Sequence, residues 1–416
     1  MMKKMTAAML ILVLLLSLTA CGSEESDKKN GTKRGGSKEI AAQELTAGSA
    51  TETPEVTIPG PDFSEGYNAF AVKLFLQCYQ KGQNVLLSPY SVYAAVSMLN
   101  NGASGETKRQ IEQMFGCSAD ISNNAVAYLM QYGDKKDIVK TANSIWLNEN
   151  LKMEVKDAFL KTCGNYYRSA VMRAPFSEAG TLEAINKWVD ENTKHRISKV
   201  LDSLTDDQAM VLINAMTFDG IWQDPFYEED TQMKPFYHAN GTEEDVNMML
   251  GDAERYFEND IMTGMDKKYE NGYSFRAILP KEGYTLEDVI AAFDFAKVPY
   301  KPSSGITVSM PKFEDRSEVG LKNMLGNLGM QDAFTSLADF SAITEDQKLI
   351  VSAVIHKTFI KVDEKGTEAA AVTAITLEAA CVMEPEPYYY VNLDHPFIYM
   401  IMDDYNNVPL FIGVYQ

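Results

Sequence analysis

The chain has 416 residues, of which 45% are hydrophobic, and its formal net charge is −20. This acidic balance argues against nucleic acid or an anionic membrane surface as a partner and is typical of a soluble exported protein. The sequence contains no G-x-S-x-G, H-E-x-x-H, P-loop or G-x-G-x-x-G motif, and its five cysteines and four histidines show no metal-ligand spacing. It therefore predicts neither an enzyme nor a protein that binds a metal or cofactor, and it implies no disulfide framework.

The first twenty residues have the pattern of an export signal. Lys3 and Lys4 precede an apolar run over 7–16, and Leu18-Thr19-Ala20 stands directly before Cys21. The run is too short for a comfortable membrane span, so 1–20 resembles the signal peptide of a bacterial lipoprotein. We expect lipidation of Cys21 and anchoring on the extracytoplasmic face of a bacterial membrane. An ordinary secretory signal followed by a chance cysteine is the alternative.

Two further regions follow this signal. Residues 22–60 are poor in aromatic residues and rich in Ser, Thr, Gly, Glu and Lys, which predicts a flexible tether. Residues 61–416 show no second linker, repeat or change of composition, so we expect one large domain.

The predicted elements of that domain place helices early and strands late. A helix is expected over 63–79, a second from the N-cap Ser88 with Pro89 in its first turn, and others over 104–115 and 181–194. Apolar and alternating patterns predict strands over 210–218, 273–279, 306–313, 349–362, 388–402 and 408–415. The fold class is therefore mixed α/β. His356 lies inside the alternating strand and is expected to be a buried structural histidine.

Several short segments resemble the signatures of the serpin family, in order and along the whole of 63–416. They are Asn84-Val85-Leu86-Leu87-Ser88-Pro89-Tyr90-Ser91, Asn214-Ala215-Met216-Thr217-Phe218-Asp219-Gly220-Ile221-Trp222, Met310-Pro311-Lys312-Phe313, Leu328-Gly329-Met330, Ala338-Asp339-Phe340-Ser341, His356-Lys357, Glu364 to Thr373, and Asp394-His395-Pro396-Phe397. The resemblance implies three β-sheets, about nine helices and a reactive-centre loop at about 364–390. It also implies a monomeric irreversible inhibitor whose partner is a protease.

The loop sequence is compatible with insertion as a β-strand. Gly366 can act as a pivot, and alternate residues from Thr367 to Leu377 are uncharged. The resemblance assigns the hinge to Glu364, Gly366, Thr367, Glu368, Ala369, Ala370 and Ala371. An exposed helix, as in a non-inhibitory surface or binding protein of this family, remains the alternative reading of the Ala- and Glu-rich loop.

The resemblance also assigns roles to residues outside the loop. Ser88, Ser91, Asn214 and His356 would control sheet opening, Trp222 would pack where the loop first inserts, and Lys312 would pair with Glu364. Counting from the hinge puts the scissile bond at Ala380-Cys381, and counting from the C-terminal side shifts it toward Val382-Met383. Both bonds follow a small side chain, which predicts an elastase-like or subtilisin-like target and leaves papain-like cysteine proteases open. Oxidation of Cys381 or Met383 could alter recognition.

Overall fold

The structure is a computed structural model that describes residues 42–49, 52–134, 138–294, 297–367 and 386–416. These residues all belong to one compact unit that spans 39–416. Within the described ranges no helix is both long and apolar enough to span a membrane.

Eight α-helices occur in the described residues. They are α1 (Pro61–Cys78), α2 (Pro89–Asn100), α3 (Gly105–Phe115), α4 (Ala119–Asp134), α5 (Asp157–Tyr167), α6 (Ala179–Asn192), α7 (Leu286–Ala292) and α8 (Lys322–Asn327).

The strands of the described residues form three sheets. They are β1 (Gln43–Glu44), β2 (Val85–Leu87), β3 (Val139–Asn148), β4 (Ala170–Ala174), β5 (Met210–Phe218), β6 (Gly220–Ile221), β7 (Gln232–Tyr237), β8 (Glu243–Asp252), β9 (Arg255–Glu258), β10 (Met262–Lys268), β11 (Tyr273–Pro280), β12 (Tyr300–Lys301), β13 (Gly305–Pro311), β14 (Phe313–Gly320), β15 (Val351–Asp363), β16 (Gly366–Thr367), β17 (Tyr388–Asn392), β18 (Phe397–Asp403) and β19 (Val408–Tyr415).

Sheet A is the eight-stranded sheet, in the order β1-β4-β3-β5-β15-β16-β6 with β14 paired to the other edge of β15. Sheet B has the order β12-β9-β10-β11-β18-β19-β2, and sheet C has the order β17-β13-β8-β7. Together with the helices, these three sheets confirm the predicted mixed α/β fold class.

Both faces of sheet A are covered, because a helix packs on each side. All twelve residues of α2 are buried, and this helix contacts β3 and β5 of sheet A as well as β19 of sheet B. On the opposite face, Ile185 and Val189 of α6 share an apolar cluster with Val211 and Ile213 of β5. Successive residues of a strand point to opposite faces, so Asn214 of β5 points toward α2.

Most predicted elements have the expected type, but several boundaries were wrong. The predicted strand over 306–313 is two strands in different sheets, since β13 ends at Pro311 and β14 begins at Phe313. The predicted strand over 388–402 is likewise divided into β17 and β18. Strands β3 and β4 in the first half were not predicted, so the expected order of helices early and strands late is only partly correct.

The predicted tether is also too long at its C-terminal end. Gln43 and Glu44 pair with β4, the Leu45 amide donates to the Val171 carbonyl at 2.7 Å, and Thr46 is buried. Further along, the Thr57 amide donates to the Asn124 side chain at 2.9 Å. Residues 43–44 add a strand to the edge of sheet A because their backbone groups form hydrogen bonds there. Amino-acid composition does not show this backbone pairing.

We expect this edge strand to stabilise the domain. Deleting residues 1–51 removes its backbone pairs and the Thr46 hydroxyl that accepts from the Val171 amide at 3.1 Å. At about 1 kcal/mol net for each hydrogen bond, the free energy of unfolding should fall by about 1–3 kcal/mol. Urea unfolding followed by circular dichroism measures this loss. Deletion of 1–41 alone, which keeps β1, is the control and should leave the transition unchanged; equal transitions for both deletions would contradict a stabilising role.

Candidate functional site

At the centre of sheet A the parallel strands β5 and β15 pair directly with each other. At one end of this contact a third strand lies between β15 and its neighbour. β5 and β15 form eight residue pairs, from Val351 opposite Met210 to Phe359 opposite Thr217, with a β-bulge between Val351 and Ala353. Beyond Phe359, on the edge of β15 that faces β5, the partner of β15 is β16, which also pairs with β6. We call the eight-pair contact the β5–β15 seam. At its end the chain has already placed two hinge residues, Gly366 and Thr367, as a short strand within sheet A.

Gly366 is required by the close approach of the backbone at this point. Its φ is +154°, and a Cβ on it would lie 2.1 Å from the Gly220 carbonyl oxygen and 2.9 Å from the Ile221 Cα. Any larger residue must therefore push β16 away from β6. This close approach explains why position 366 is a glycine, and its action as a pivot stays a prediction.

We expect Gly366→Ala to release β16 from sheet A. The added methyl group collides with backbone atoms that cannot rotate away, so the free energy of unfolding should fall by about 1–3 kcal/mol. Gly320→Ala is a matched control, because a Cβ at Gly320 of β14 meets no atom within 4 Å. A urea transition that shifts equally for both variants would show that the close approach at Gly366 does not affect the free energy of unfolding.

Thr367 is fully buried and is held by an aromatic pair. The hydroxyl groups of Thr367 and Tyr269 lie 2.6 Å apart, and the Tyr269 ring stacks on Trp222 with centroids 4.2 Å apart. Trp222 is itself fully buried, and its Nε1 donates to the Asp363 carbonyl at 2.9 Å. We call Trp222, Tyr269 and Thr367 the hinge pocket. The structure places Trp222 against Tyr269, which contacts Thr367 and which no sequence pattern indicated; the role of Trp222 in loop insertion stays a prediction.

An ion pair holds Glu364, the residue that directly follows β15. Lys312 Nζ lies 2.7 Å from Glu364 Oε2, and the Thr231 hydroxyl donates to Glu364 Oε1 at 3.0 Å. Burial raises the pKa of Glu364, but the hydrogen bonds from Lys312, from a backbone amide and from Thr231, with the positive charge of Lys312, together outweigh burial and lower the pKa below its usual value. The hydrogen bond to Glu364 raises the pKa of Lys312. The pair is therefore charged near neutral pH and ties the end of β15 to the link between β13 and β14.

A buried hydrogen-bond network crosses the β5–β15 seam. His356 of β15 and Asn214 of β5 are directly opposite each other, and His356 Nδ1 lies 2.5 Å from Asn214 Oδ1. The Ser88 amide donates to His356 Nε2 at 3.0 Å, which places the ring proton on Nδ1, where it is donated to Asn214. Asn214 Nδ2 donates to the Ser91 carbonyl at 2.7 Å and to Asn143 Oδ1 on β3 at 2.5 Å.

Burial fixes the protonation state of this histidine. Desolvation lowers the pKa of His356 to about 3, because the imidazolium would have to be buried without a counter-ion. The neutral ring is the form that can accept from Ser88 and donate to Asn214 at the same time. With His356 neutral, the network joins the two strands of the seam to each other and to the start of α2.

The structure brings the predicted residues into two groups at the same sheet. Ser88, Ser91, Asn214 and His356 lie at the seam, whereas Trp222, Lys312, Glu364, Gly366 and Thr367 lie where β16 enters. Asn143, Thr231 and Tyr269 complete the groups and were not predicted, since each contact joins segments far apart in sequence. Ser88 also caps α2, as its Oγ accepts from the Ser91 amide at 3.1 Å. The remaining predicted site residues, which are Cys21, Glu368, Ala369, Ala370, Ala371, Ala380, Cys381, Val382 and Met383, lie outside the described residues.

Other reactive groups of the described ranges form no second site. No cluster of three or more His, Cys, Asp or Glu side chains there is arranged to hold a metal ion. Cys78, Cys117 and Cys163 are free thiols, and burial raises the pKa of Cys78 to about 12, so this thiol is unreactive at neutral pH.

Known proteins are similar to this chain over almost the whole of the domain. A family model described as Serpin (serine protease inhibitor) matches residues 65–416. An uncharacterized serpin-like protein of Methanosarcina acetivorans is 32% identical over 371 residues, which is 85% of each chain. Plasminogen activator inhibitor 1 of Bos taurus is 31% identical over 373 residues, covering 83% of this chain and 90% of its own.

The solved structures lead to the same family. The crystal structure of the thermophilic serpin tengpin in the native state superposes with a TM-score of 0.80 at 31% identity, covering 90% of this chain and 99% of tengpin. Serpin48 of the insect Tenebrio molitor, described as a highly specific serpin, superposes with a TM-score of 0.75 at 26% identity. The chain belongs to the serpin family, whose members are in general protease inhibitors and not enzymes.

Proposed function

We propose that this protein is an irreversible suicide inhibitor of serine proteases that accept a small side chain, such as elastase-like or subtilisin-like enzymes. The observation that carries the proposal is the divided end of sheet A. Gly366 and Thr367 already form the first two residues of a strand between β15 and β6, and the strand could extend only by parting β5 from β15. A loop cleaved beyond Thr367 has a direct path into the centre of the sheet.

The chemistry of the trap is supplied by the protease. Its nucleophilic oxygen attacks the carbonyl of residue 380, an ester bond forms, and the amine of residue 381 leaves with the proton taken from the nucleophile. The cleaved strand then inserts faster than water hydrolyses the ester, and the attached protease is carried along and distorted. This chain contributes no catalytic group; it contributes stored free energy and the strand that releases it.

The residues of the two groups have separate tasks in this scheme. The hinge pocket receives the first inward side chain, so that insertion is already started in the uncleaved protein. The Asn214–His356 hydrogen bond crosses the seam and must exchange partners as the strands part. Inserting a strand between β5 and β15 breaks the one ladder that joins them and forms two new ones, because successive residues of the inserted strand bond alternately to either neighbour, so hydrogen bonds are gained on balance and free energy is released.

The target class follows from the small residue before the proposed scissile bond. A shallow apolar specificity pocket accepts Ala380 or Val382 and gains nothing from a positively charged side chain. The segment from Thr367 to Pro387 contains no Lys or Arg, which disfavours a trypsin-like target.

Denaturing electrophoresis tests the proposal. Protein comprising residues 22–416 is mixed with pancreatic elastase or subtilisin, and with elastase whose catalytic serine has been blocked. We expect a covalent band of summed mass with the active enzymes and none with the blocked enzyme. Cleavage of the inhibitor without such a band, for every small-residue protease tried, would support the second candidate, a non-inhibitory surface or binding protein of the same fold. A band with papain alone would move the target to cysteine proteases.

Residues 1–21 support a second part of the proposal, namely attachment to a membrane. Lipidation of Cys21 would hold the inhibitor on the extracytoplasmic face of a bacterial cell. Expression of the full chain in a bacterium fed radiolabelled palmitate should label the protein and place it in the membrane fraction. Cys21→Ser should abolish both, and label retained by this variant would overturn the assignment.

A further inference from the structure

Two neighbouring tyrosines on β17 are exposed to solvent. Tyr390 is 78% exposed and Tyr388 is 48% exposed, and their rings lie 5.3 Å apart. They alternate with Tyr389, which stacks on Tyr256 with ring centroids 3.8 Å apart, and with the buried Val391. The strand is therefore anchored through one face and presents two neighbouring aromatic rings on the other.

The neighbouring strands of sheet C extend this surface. Thr307 of β13 is opposite both Tyr390 of β17 and Asp252 of β8, so the three form a row across the sheet. The Tyr388 hydroxyl lies 2.8 Å from the Thr307 hydroxyl, which holds one ring against the sheet. Leu250, the next residue of β8 on this face, is 38% exposed. We call Tyr388, Tyr390, Leu250 and Asp252 the tyrosine face.

The tyrosine face lies directly after the segment that contains the proposed scissile bond. From residue 380 to Tyr388 the chain can span at most about 28 Å, at about 3.5 Å for each residue. A protease domain of about 230 residues has a radius of gyration of about 17 Å, so its body extends over a comparable distance around its cleft. A protease bound at 380–383 must therefore stand over or beside β17.

We propose that the tyrosine face is a docking surface for the body of the target protease, next to its substrate cleft. The inference rests on the proposed function, which supplies the partner. Exposed tyrosines suit this task because they bury a large area with little loss of conformational freedom and keep a hydroxyl for hydrogen bonding. The exposed Asp252 carboxylate favours a partner surface that carries cationic side chains.

Docking at this surface affects one kinetic step and not the others. It stabilises the encounter between inhibitor and protease before the bond is cut, whereas the cleaved loop carries the protease away from β17 during insertion. Loss of the face should therefore slow the second-order reaction and leave the number of inhibitor molecules consumed for each trapped protease unchanged.

The test measures the second-order rate of inhibitor consumption by elastase and by subtilisin. The variants are Tyr390→Ser, the double variant Tyr388→Ser/Tyr390→Ser, and Asp252→Lys. Tyr405→Ser is the matched control, because Tyr405 is 58% exposed and follows the far end of β18. We expect about a tenfold slower reaction for the double variant with at least one of the two proteases, a weaker salt dependence for Asp252→Lys, and no change for Tyr405→Ser. Urea transitions equal to wild type establish that the variants are folded, as expected for changes at exposed positions.

The outcomes separate this inference from the proposed function. Consumption is scored whether the product is a covalent complex or cleaved inhibitor, so the rate is measurable even if no trap forms. A slower double variant supports the docking surface in either case. Unchanged rates for the double variant with both proteases, while wild type forms the complex, would overturn the docking surface alone.

Discussion

Thr367→Arg is expected to convert the protein from a trap into a substrate. Thr367 is fully buried, its hydroxyl meets Tyr269, and its backbone pairs with Val362 and Gly220. An arginine there would bury an unpaired charge at a cost of several kcal/mol, so the strand cannot start in the sheet. Insertion then falls behind hydrolysis of the acyl-enzyme. The covalent complex should fall by at least tenfold while the rate of cleavage stays close to that of wild type.

Two conservative variants serve as controls for that result. Thr367→Ser keeps the hydroxyl that faces Tyr269 and should retain the covalent complex. Thr367→Val keeps the side-chain volume but removes the hydroxyl. It should give a lower yield of covalent complex, because one buried hydrogen bond to Tyr269 is lost. A wild-type yield of complex from Thr367→Arg would mean that the hinge pocket plays no part in insertion.

Acidification should weaken the native state through His356, beginning below about pH 6.5. The pKa of this histidine is about 3 in the folded protein against 6.5 for a free histidine. Between these values the unfolded chain binds a proton and the native protein does not, so stability is complete above pH 6.5 and declines as the pH falls toward 3. The slope is at most about 1.4 kcal/mol for each pH unit. Protonation also removes the acceptor that the Ser88 amide uses, so the hydrogen bond between β15 and the start of α2 is lost.

Urea unfolding between pH 7.5 and pH 4.5 measures this effect. His356→Asn should flatten the pH dependence, whereas His395→Gln, at an exposed histidine, should leave it as in wild type. Burial raises the pKa of Glu254 and Asp315, which makes these carboxyl groups oppose the trend, so the difference between wild type and His356→Asn isolates the histidine. Identical slopes for the two proteins would contradict the assignment.

The sequence predicted best the elements whose pattern is local and strong. β5 and β19 have the predicted bounds, and β15 differs from its prediction by two residues or fewer at each end, because alternation along one strand is visible without its neighbours. β3 was missed since its buried part includes Ala142, Asn143 and Ser144, small and polar residues that do not read as a strand. Its place is decided by pairing with β4 and β5, which no local pattern records.

The site divides in the same way. His356 and Trp222 were predicted from segments that resemble the family; the structure places His356 at the β5–β15 seam and Trp222 in the hinge pocket, and the roles implied for them stay predictions. Tyr269 could not be predicted, because it meets Thr367 across 98 residues of sequence and only the folded sheets bring the two hydroxyl groups together. The contact of Thr46 with β4 also depends on long-range backbone pairing. This pairing could not be predicted from a composition typical of a tether.

Cleavage of the loop followed by an unfolding measurement tests the central claim most directly. The protein is cut between residues 368 and 385 with a protease that it does not trap, and the urea transitions of intact and cleaved protein are compared. A strand inserted between β5 and β15 adds on the order of twenty backbone hydrogen bonds at about 1 kcal/mol net each, so the cleaved protein should unfold at a much higher urea concentration. A transition that stays the same or falls after cleavage would contradict insertion into sheet A.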